Sequence, residues 1–216
     1  MTQDGSHSIV SEKFGEAYHS KYGAVQESQH VFIQAGFEAL ADDLESIHLL
    51  EMGMGTGLNV LLTHWANQKN PKPIYYTALE GYPIDNWQDL NYVKLLNLEE
   101  DYQLFFDKIH LCEWETMTQL SEHFYLKKTR VLLEDVKLPL QHFHLVYFDA
   151  FAPNAQANLW TEEIFSKMYE CINIGGILTT YCAKGSVKRA IKSVGFVLEN
   201  LVGPSGKREM TRARKE

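Results

Sequence analysis

The chain has 216 residues, of which 45% are hydrophobic and 22% charged, and a formal net charge of −8. This length suits one domain with a substantial core, and the composition is typical of a globular protein and excludes a disordered or fibrous one. No apolar run approaches the roughly 20 residues that span a bilayer, and residues 1–10 lack the basic and apolar regions of a secretory signal. Cys112, Cys171 and Cys182 form no C-x-x-C pair, so we expect a reducing, cytoplasmic setting.

Apolar periodicity predicts strands that alternate with helices. The predicted strands are residues 47–51, 74–79, 109–114, 130–133, 143–148, 177–181, 196–202 and 209–214. The predicted helices are residues 28–44, 58–66, 85–96, 161–171 and 186–194, and residues 117–124 form either a helix or a loop. Thr161 is the expected N-cap of its helix because two glutamates follow in the first turn.

This alternation predicts an α/β, Rossmann-like fold with a mostly parallel seven-stranded sheet, helices on both faces and an antiparallel C-terminal hairpin. We expect one compact domain, in which residues 1–45 form a helical extension that contributes to the site of the main unit, residues 46–216. Ligands of such sheets bind beyond the carboxyl ends of the strands, near the topological switch point. The motifs below all follow predicted strands and therefore belong to that end.

A glycine-rich turn follows the first predicted strand, with Glu51 two positions before Gly53 and further glycines at Gly55 and Gly57. Glycine permits positive φ and close approach of a ligand, and the next helix offers free N–H groups. The G-x-G-x-G spacing differs from the G-x-G-x-x-G of dinucleotide sites. A carboxylate here favours a cationic nucleoside such as S-adenosylmethionine over a diphosphate, and a tight turn without a ligand is the alternative.

Three further acidic residues follow predicted strands. Glu80 can accept hydrogen bonds from ribose hydroxyls, and Asp135 can accept the exocyclic amine of adenine. Asp149 begins the run D-A-F-A-P, where its carboxylate can orient an amine nucleophile and accept its proton, and Phe151 can pack on a planar base. The alternative at each position is an acidic residue that lies on the surface or caps a loop and contacts no ligand.

Basic residues concentrate toward the C-terminus, although the whole chain is acidic. From Lys184 onward nine basic residues oppose three acidic ones, which leaves +6 there and −14 in the remainder. The nine are Lys184, Lys188, Arg189, Lys192, Lys207, Arg208, Arg212, Arg214 and Lys215. They predict either a positive face that binds phosphate groups or a solvated helix followed by a basic tail.

With these residues assembled, the chain resembles the family of the MnmC methyltransferase domain and stand-alone MnmD. These class I methyltransferases convert 5-aminomethyl-2-thiouridine at the tRNA wobble position to 5-methylaminomethyl-2-thiouridine. The matching stretches are Tyr18-His19-Ser20, Glu27-Ser28, Val31-Phe32, LEMGMGTGLNVLLT at 50–63, residues 149–153, Trp160-Thr161, Gly175-Gly176 and GKREM at 206–210. The resemblance covers nearly the whole chain and departs from the family pattern at Met52, Met54 and Val60, which we interpret as packing changes.

The resemblance implies S-adenosyl-L-methionine as the cofactor and assigns its contacts to Glu51, Gly53, Gly55, Gly57, Glu80 and Asp135. It makes Asp149 the residue that accepts or orients the substrate amine. Because loop bases commonly stack on aromatic side chains, Phe151 and Trp160 are candidates to hold the wobble base. Phosphate contacts are expected from Lys184, Lys188, Arg189, Lys207 and Arg208.

The expected partner is the anticodon loop of a tRNA, with no membrane association. The chain ends without the flavin-dependent oxidoreductase domain of the bifunctional form, so the resemblance implies coupling to a separate wobble-uridine enzyme or an ammonium-dependent route that supplies the amine.

Other functions remain open at the level of sequence. An N-methyltransferase of a small-molecule amine would share the cofactor motifs but would not need the basic C-terminal face. An NAD-dependent oxidoreductase would need phosphate-binding room, and a catalytically silent RNA-binding module would not need Glu51 or Asp149. His142-x-His144 has no third ligand at a suitable spacing, so we expect strand histidines and no metal site. We expect Cys182 to be a buried structural residue.

Overall fold

The computed structural model describes residues 2–10, 13, 15–18 and 22–216. Its strands are β1 (Ile47–Met52), β2 (Ile74–Glu80), β3 (Met117–Ser121), β4 (Phe124–Arg130), β5 (Phe143–Phe148), β6 (Ile172–Thr180), β7 (Val197–Val202) and β8 (Glu209–Arg214). The α-helices are α1 (Ala24–Ser28), α2 (Leu58–Asn67), α3 (Tyr92–Leu95), α4 (Glu100–Leu111), α5 (Glu162–Cys171) and α6 (Gly185–Ser193). A π-helical segment, Gln29–Gln34, continues α1, and 3-10 turns lie at Phe37–Ala39, Trp87–Asp89 and Ala157–Leu159.

The strands form one sheet in the order β3-β4-β2-β1-β5-β6-β8-β7. Neighbours from β4 through β6 run parallel, whereas β3 pairs antiparallel with β4, and β8 pairs antiparallel with both β6 and β7. The chain proceeds from β1 toward one edge of the sheet and later from β5 toward the other, so the switch point lies between β1 and β5. The predicted α/β fold and its antiparallel C-terminal hairpin are confirmed.

Apolar layers cover both faces of the sheet. Leu49 and Tyr147 belong to one layer, together with residues of α1, α2 and α4, whereas Leu50 and Phe148 belong to the other, with residues of α5 and α6. Successive residues of a strand face opposite sides, so β1 and β5 are apolar and buried along nearly their whole length, as in other parallel sheets. This burial fixes where both strands end, and with them the loops that follow.

The middle of the chain differs from its prediction. The sheet has eight strands where a seven-stranded one was predicted. Residues 117–121, predicted as helix or loop, form β3 at the edge, and β4 (Phe124–Arg130) lies almost wholly before the strand predicted at 130–133. The residues of β3 are mostly exposed or half-exposed, so no apolar periodicity marks this strand. Residues 109–114, predicted as a strand, include the end of α4, whose Phe105, Phe106 and Ile109 form its buried face. The strand predicted at 130–133 is wrong as well, since β4 ends at Arg130.

Two predicted helices are shorter than expected. Residues 85–96 contain only a 3-10 turn and α3, because asparagines at 86 and 91 stand before these short segments in non-helical conformations. Within residues 28–44, helical structure gives way after Gln34 to turns. The Thr161 cap is confirmed, since its hydroxyl accepts the Ile164 N–H at 3.4 Å. In the described part of the chain, no helix combines the length and apolarity needed to cross a bilayer.

Candidate active site

A cavity of about 660 Å³ lies at the carboxyl ends of the central strands, on either side of the switch point. Its wall includes the glycine-rich turn after β1, Glu80 at the end of β2, residues 131–134 after β4 and residues 149–152 after β5. Tyr18, Glu27 and other residues from the N-terminal segment complete the wall. The volume is in the range typical of small-molecule and cofactor sites.

The glycine-rich turn needs its glycines for two separate reasons. Gly53 and Gly55 have φ of +85° and +50°, which non-glycine residues rarely adopt. A Cβ on Gly53 would lie 2.9 Å from the Asp149 carbonyl oxygen, and a Cβ on Gly55 would lie 2.8 Å from the Tyr18 ring. Because neither glycine has a side chain, Asp149 and Tyr18 can pack directly against the backbone of the turn. Gly57, also at positive φ, is the N-cap of α2 and does not line the cavity.

Glu80 joins the glycine-rich turn to the end of β2. Its Oε2 accepts the Gly55 N–H at 2.9 Å, and its Oε1 accepts the Tyr82 N–H at 2.7 Å. The side chain is buried, which raises the pKa of its carboxyl, although these N–H donors act in the opposite direction. The carboxylate is thus fixed at the cavity wall, where it retains oxygen lone pairs for hydroxyl donors.

Asp149 follows β5 and lines the same cavity. Its backbone N–H donates to the Met52 carbonyl at 3.1 Å, and its Oδ2 accepts Asn59 Nδ2 at 3.0 Å. Burial and the negative charge of Glu27 raise the pKa of Asp149 to about 7, while the Asn59 hydrogen bond and the Lys207 charge lower it. A carboxyl with this pKa can exchange protons near neutral pH.

Asn59, which the sequence analysis did not identify, connects Asp149 to Glu51. The same Nδ2 also donates to Glu51 Oε1 at 2.8 Å, whereas Asn59 Oδ1 is buried and has no hydrogen-bond partner among the described residues. Asn59 is the second residue of α2 and lines the cavity. An amide within the apolar run LNVLL was the available signal, because buried polar groups need partners.

The structure places Glu51 behind the cavity wall. It is fully buried, does not line the cavity, and accepts hydrogen bonds from Asn59 and from the Tyr76 hydroxyl at 2.8 Å. Burial raises the pKa of its carboxyl well above the usual range. Glu51 is thus not at the cavity surface, where its predicted contact would lie; it holds Asn59, which is.

Two other residues that were predicted to contact a ligand, Asp135 and Trp160, do not line the cavity. Asp135 is exposed and outside the cavity because it lies in a turn, with its N–H bonded to the Leu132 carbonyl; its neighbour Glu134 lines the cavity instead. Trp160 is buried, and its indole N–H donates to the Phe151 carbonyl at 2.8 Å. Trp160 therefore supports the loop that carries Phe151 and offers no stacking surface, whereas Phe151 lines the cavity.

The C-terminal basic residues are distributed differently from the predicted positive face. Lys188 pairs with Glu209, Arg212 and Arg214 pair with Glu199, and Lys215 is buried against backbone carbonyls. Lys207 lines the cavity and pairs with Glu27. The four that stay exposed are Lys184, Arg189, Lys192 and Arg208. Of these, Lys184 donates to Asn154 Oδ1 at 2.7 Å.

The remaining predicted residues lie as follows. Tyr18 lines the cavity and packs edge-to-face on Phe151, with ring centroids 5.0 Å apart. His19 and Ser20, from the same motif, lie outside the described residues. His142 and His144 lie beside His48 near the amino ends of β1 and β5, at the opposite end of the strands from the cavity. Cys182 is buried.

The charges around the cavity fit a cationic ligand. Among its described lining residues, carboxyl groups outnumber ammonium groups: Glu16, Glu27, Glu80, Glu134 and Asp149 against Lys13 and Lys207. S-Adenosyl-L-methionine carries a sulfonium and an ammonium group, and its ribose hydroxyls need acceptors such as Glu80. The residues present therefore fit this cofactor and would repel a diphosphate.

Comparison with known proteins agrees with this geometry. The tRNA 5-methylaminomethyl-2-thiouridine biosynthesis bifunctional protein MnmC of Aromatoleum aromaticum is 28% identical over 231 residues, which cover 99% of this chain and 34% of that protein. The protein of the same name from Burkholderia pseudomallei strain K96243 is 28% identical over 229 residues, covering 96% and 34%. The chain thus spans about a third of the length of the curated relatives it matches.

Solved structures share the fold. The crystal structure of MNMC2 from Aquifex aeolicus superposes with a TM-score of 0.80 at 23% identity and covers 100% of this chain and 68% of that one. Spermidine synthase from Thermotoga maritima gives a TM-score of 0.56 at 13% identity, covering 98% and 69%. These two similarities establish the fold only. The reaction has to be inferred from the residues of the site.

The family model that matches describes S-adenosyl-L-methionine-dependent methyltransferases, and it covers residues 100–216, just over half of the chain. This segment includes β4, β5 and the Asp149 loop. The chain therefore belongs to the S-adenosyl-L-methionine-dependent methyltransferase family and uses that cofactor.

Proposed function

We propose that this chain methylates the primary amine of 5-aminomethyl-2-thiouridine at the wobble position of tRNA, which gives 5-methylaminomethyl-2-thiouridine. The observation that carries this proposal is Asp149, a carboxylate held by Asn59 at the wall of a cation-receptive cavity. An amine acceptor requires such a base, whereas an acceptor that is already deprotonated does not. The names of the similar bifunctional proteins refer to the biosynthesis of 5-methylaminomethyl-2-thiouridine in tRNA, which supplies the product.

Cofactor and acceptor would occupy different parts of the cavity. S-Adenosyl-L-methionine, when bound, supplies an electrophilic methyl group on its sulfonium. Glu80 and the backbone around Gly53 and Gly55 would hold the nucleoside part of this cofactor, with Glu134 near its base. Phe151, beside Tyr18, would pack against the flat ring of the acceptor base. Holding both reactants in one orientation is expected to contribute much of the acceleration.

The acceptor amine must lose a proton before it can act as a nucleophile. In water a primary alkylamine is protonated, and the ammonium form has no lone pair. Asp149 in its ionised form accepts this proton, and its pKa of about 7 keeps much of it ionised at neutral pH. The methylated product is a secondary ammonium that keeps its proton, and Asp149 returns the accepted proton to solvent, which restores its ionised form for the next turnover.

Recognition of the tRNA would rest on exposed basic residues of the C-terminal part of the chain. Lys184, Arg189 and Arg208 stay candidates for phosphate contacts because their side chains are exposed. Lys188 is a weaker candidate because Glu209 pairs with it. We also propose that the anticodon loop is the docked segment, that a separate enzyme supplies the amine, and that the chain works in the cytoplasm, where its three free cysteines would stay reduced.

The test is methyl transfer from labelled S-adenosyl-L-methionine to two tRNA pools, one with 5-aminomethyl-2-thiouridine and one without it. We expect label only in the first pool, recovered as 5-methylaminomethyl-2-thiouridine after digestion to nucleosides. Steep loss of the reaction with added salt would accompany it, because phosphate contacts release counterions. Cofactor binding without label in either pool would reject this substrate and favour a small-molecule amine.

A further inference from the structure

Lys207 enters the cavity from the loop between β7 and β8 and ends against two unlike surfaces. Its Nζ pairs with the Glu27 carboxylate and lies 4.1 Å from the centroid of the Tyr181 ring. A cation within about 6 Å of an aromatic centroid is attracted by the ring face. The ammonium is thus held by one carboxylate and one aromatic face.

Tyr181 is held by contacts of its own, and Glu27 is mostly buried. Tyr181 donates its hydroxyl hydrogen to the Ala150 carbonyl at 2.8 Å, and its ring packs against Trp160. Glu27 projects from α1, and only 13% of its side chain is exposed. A carboxylate this far removed from water is costly unless a cation stays near it.

Asp149 and Asn59 extend the same part of the cavity. Asp149 responds to the charges of both Glu27 and Lys207. Asn59 is 3% exposed, and its Oδ1 has no hydrogen-bond donor among the described residues. An ammonium group has three N–H donors and no acceptor, so it matches the acceptors that these side chains provide.

We propose that Glu27, Asp149 and the face of Tyr181 form a subsite for a primary alkylammonium group, which the side chain of Lys207 fills in this structure. A lysine side chain ends in CH2–NH3+, the same group that an aminomethyl substrate presents in its protonated form. Lys207 then acts as an internal competitor that the substrate displaces. The identity of that substrate rests on the proposed function, but the subsite itself does not.

The alternative is the sequence-based assignment of Lys207 as a phosphate contact. A phosphate near Lys207 would also approach the carboxylates of Glu27 and Asp149, which would repel it. The two assignments predict opposite effects of removing this ammonium group, so one pair of measurements separates them.

The first measurement is calorimetric binding of n-butylammonium chloride at constant ionic strength, with n-butanol as the uncharged comparison. Lys207→Met is expected to bind n-butylammonium about tenfold tighter than the original chain, because the competing cation is gone. Lys207→Arg, which keeps a cation, is the matched control and should resemble the original. Adding Glu27→Gln to Lys207→Met should abolish the gain.

Equal affinity of Lys207→Met and the original chain for n-butylammonium would overturn the subsite. The second measurement is the tRNA KM of Lys207→Met as a function of salt. A lower KM with an unchanged salt slope supports displacement, whereas a higher KM with a shallower slope identifies a phosphate contact and rejects it. Failure of the tRNA reaction in the original chain, with n-butylammonium binding as expected, would reject only the proposed substrate.

Discussion

At Asn59, a single side-chain nitrogen donates to two carboxylates, one near the end of β1 and the other directly after β5. The hydrogen bonds to Glu51 and Asp149 are 2.8 and 3.0 Å long, and Glu51 is fixed on its other oxygen by Tyr76. A carboxylate held from behind in this way points its remaining lone pairs in a defined direction. Asn59 is therefore a positioning residue for Asp149.

Replacing Asn59 by leucine should lower kcat about 10- to 100-fold, because a small misplacement of a catalytic group is costly. The pH midpoint of kcat should also rise above that of the original chain, since the hydrogen bond from Asn59 lowers the pKa of Asp149. Asn67→Leu is the matched control, because Asn67 is buried on the same helix and donates to the Lys72 carbonyl at 2.9 Å. An unchanged midpoint in Asn59→Leu would refute the positioning role.

The residues of the site were only partly predictable from the sequence. Gly53, Gly55, Glu80 and Asp149 follow directly from strand ends and glycine spacing, and all line one cavity. The roles of Glu51 and Trp160 could not be read this way, because a residue near a strand end or in the loop beyond it can point into the cavity or behind its wall. That choice depends on partners far away in sequence, such as Tyr76 for Glu51.

At the scale of elements, the strands β1, β2 and β5 and the C-terminal hairpin were predicted well, whereas β3 and its neighbour β4 were not. β1, β2 and β5 are rich in apolar residues and mostly buried, and this burial on both faces dictates their type. β3 has little apolar surface and forms because β4 offers it an unpaired edge. Because this edge of β4 exists only once the sheet has folded, the sequence of β3 has no apolar periodicity from which the strand could be predicted.

Helix α6 provides a pair of adjacent residues that tests tRNA contact. Arg189 is exposed, whereas Lys188 is paired with Glu209. Arg189→Ala should raise the tRNA KM and reduce the salt slope by about one, as expected for one lost phosphate contact. Lys188→Ala should change both much less. Equal effects of the two substitutions, measured by methyl transfer at several salt concentrations, would contradict docking through Arg189.

At the scale of the whole molecule, two buried carboxyl groups and one half-buried one meet at the carboxyl end of the sheet. The pKa values of Glu51, Glu80 and Asp149 are all raised, mainly by burial. The folded chain therefore binds more protons at these groups than the unfolded chain does at mildly acidic pH. Their contribution to the free energy of unfolding is largest at low pH and falls as the pH rises.

For Asp149, the contribution to the free energy of unfolding falls between about pH 4, the pKa of an unfolded aspartate, and about pH 7, its pKa in the folded chain. Asp149→Asn should consequently raise Tm more at about pH 8 than at about pH 5. In the folded chain the Asp149 carboxyl is mostly ionised at the higher pH and mostly protonated at the lower one, so the substitution removes a charge only at the higher pH. Thermal unfolding at both pH values measures the difference. Asp135→Asn, at an exposed position outside the cavity, should show none, and an equal gain at both pH values for Asp149→Asn would contradict the account.

The most direct test is a comparison of Asp149→Asn with the original chain in two assays. Cofactor affinity is measured by calorimetry, and the rate of methyl transfer to tRNA that contains 5-aminomethyl-2-thiouridine is measured in a single turnover. We predict an affinity within about threefold of the original and a rate lower by about 10²- to 10⁴-fold, the usual contribution of a general base. A rate equal to that of the original chain, at unchanged cofactor affinity, would show that Asp149 is not the proton acceptor.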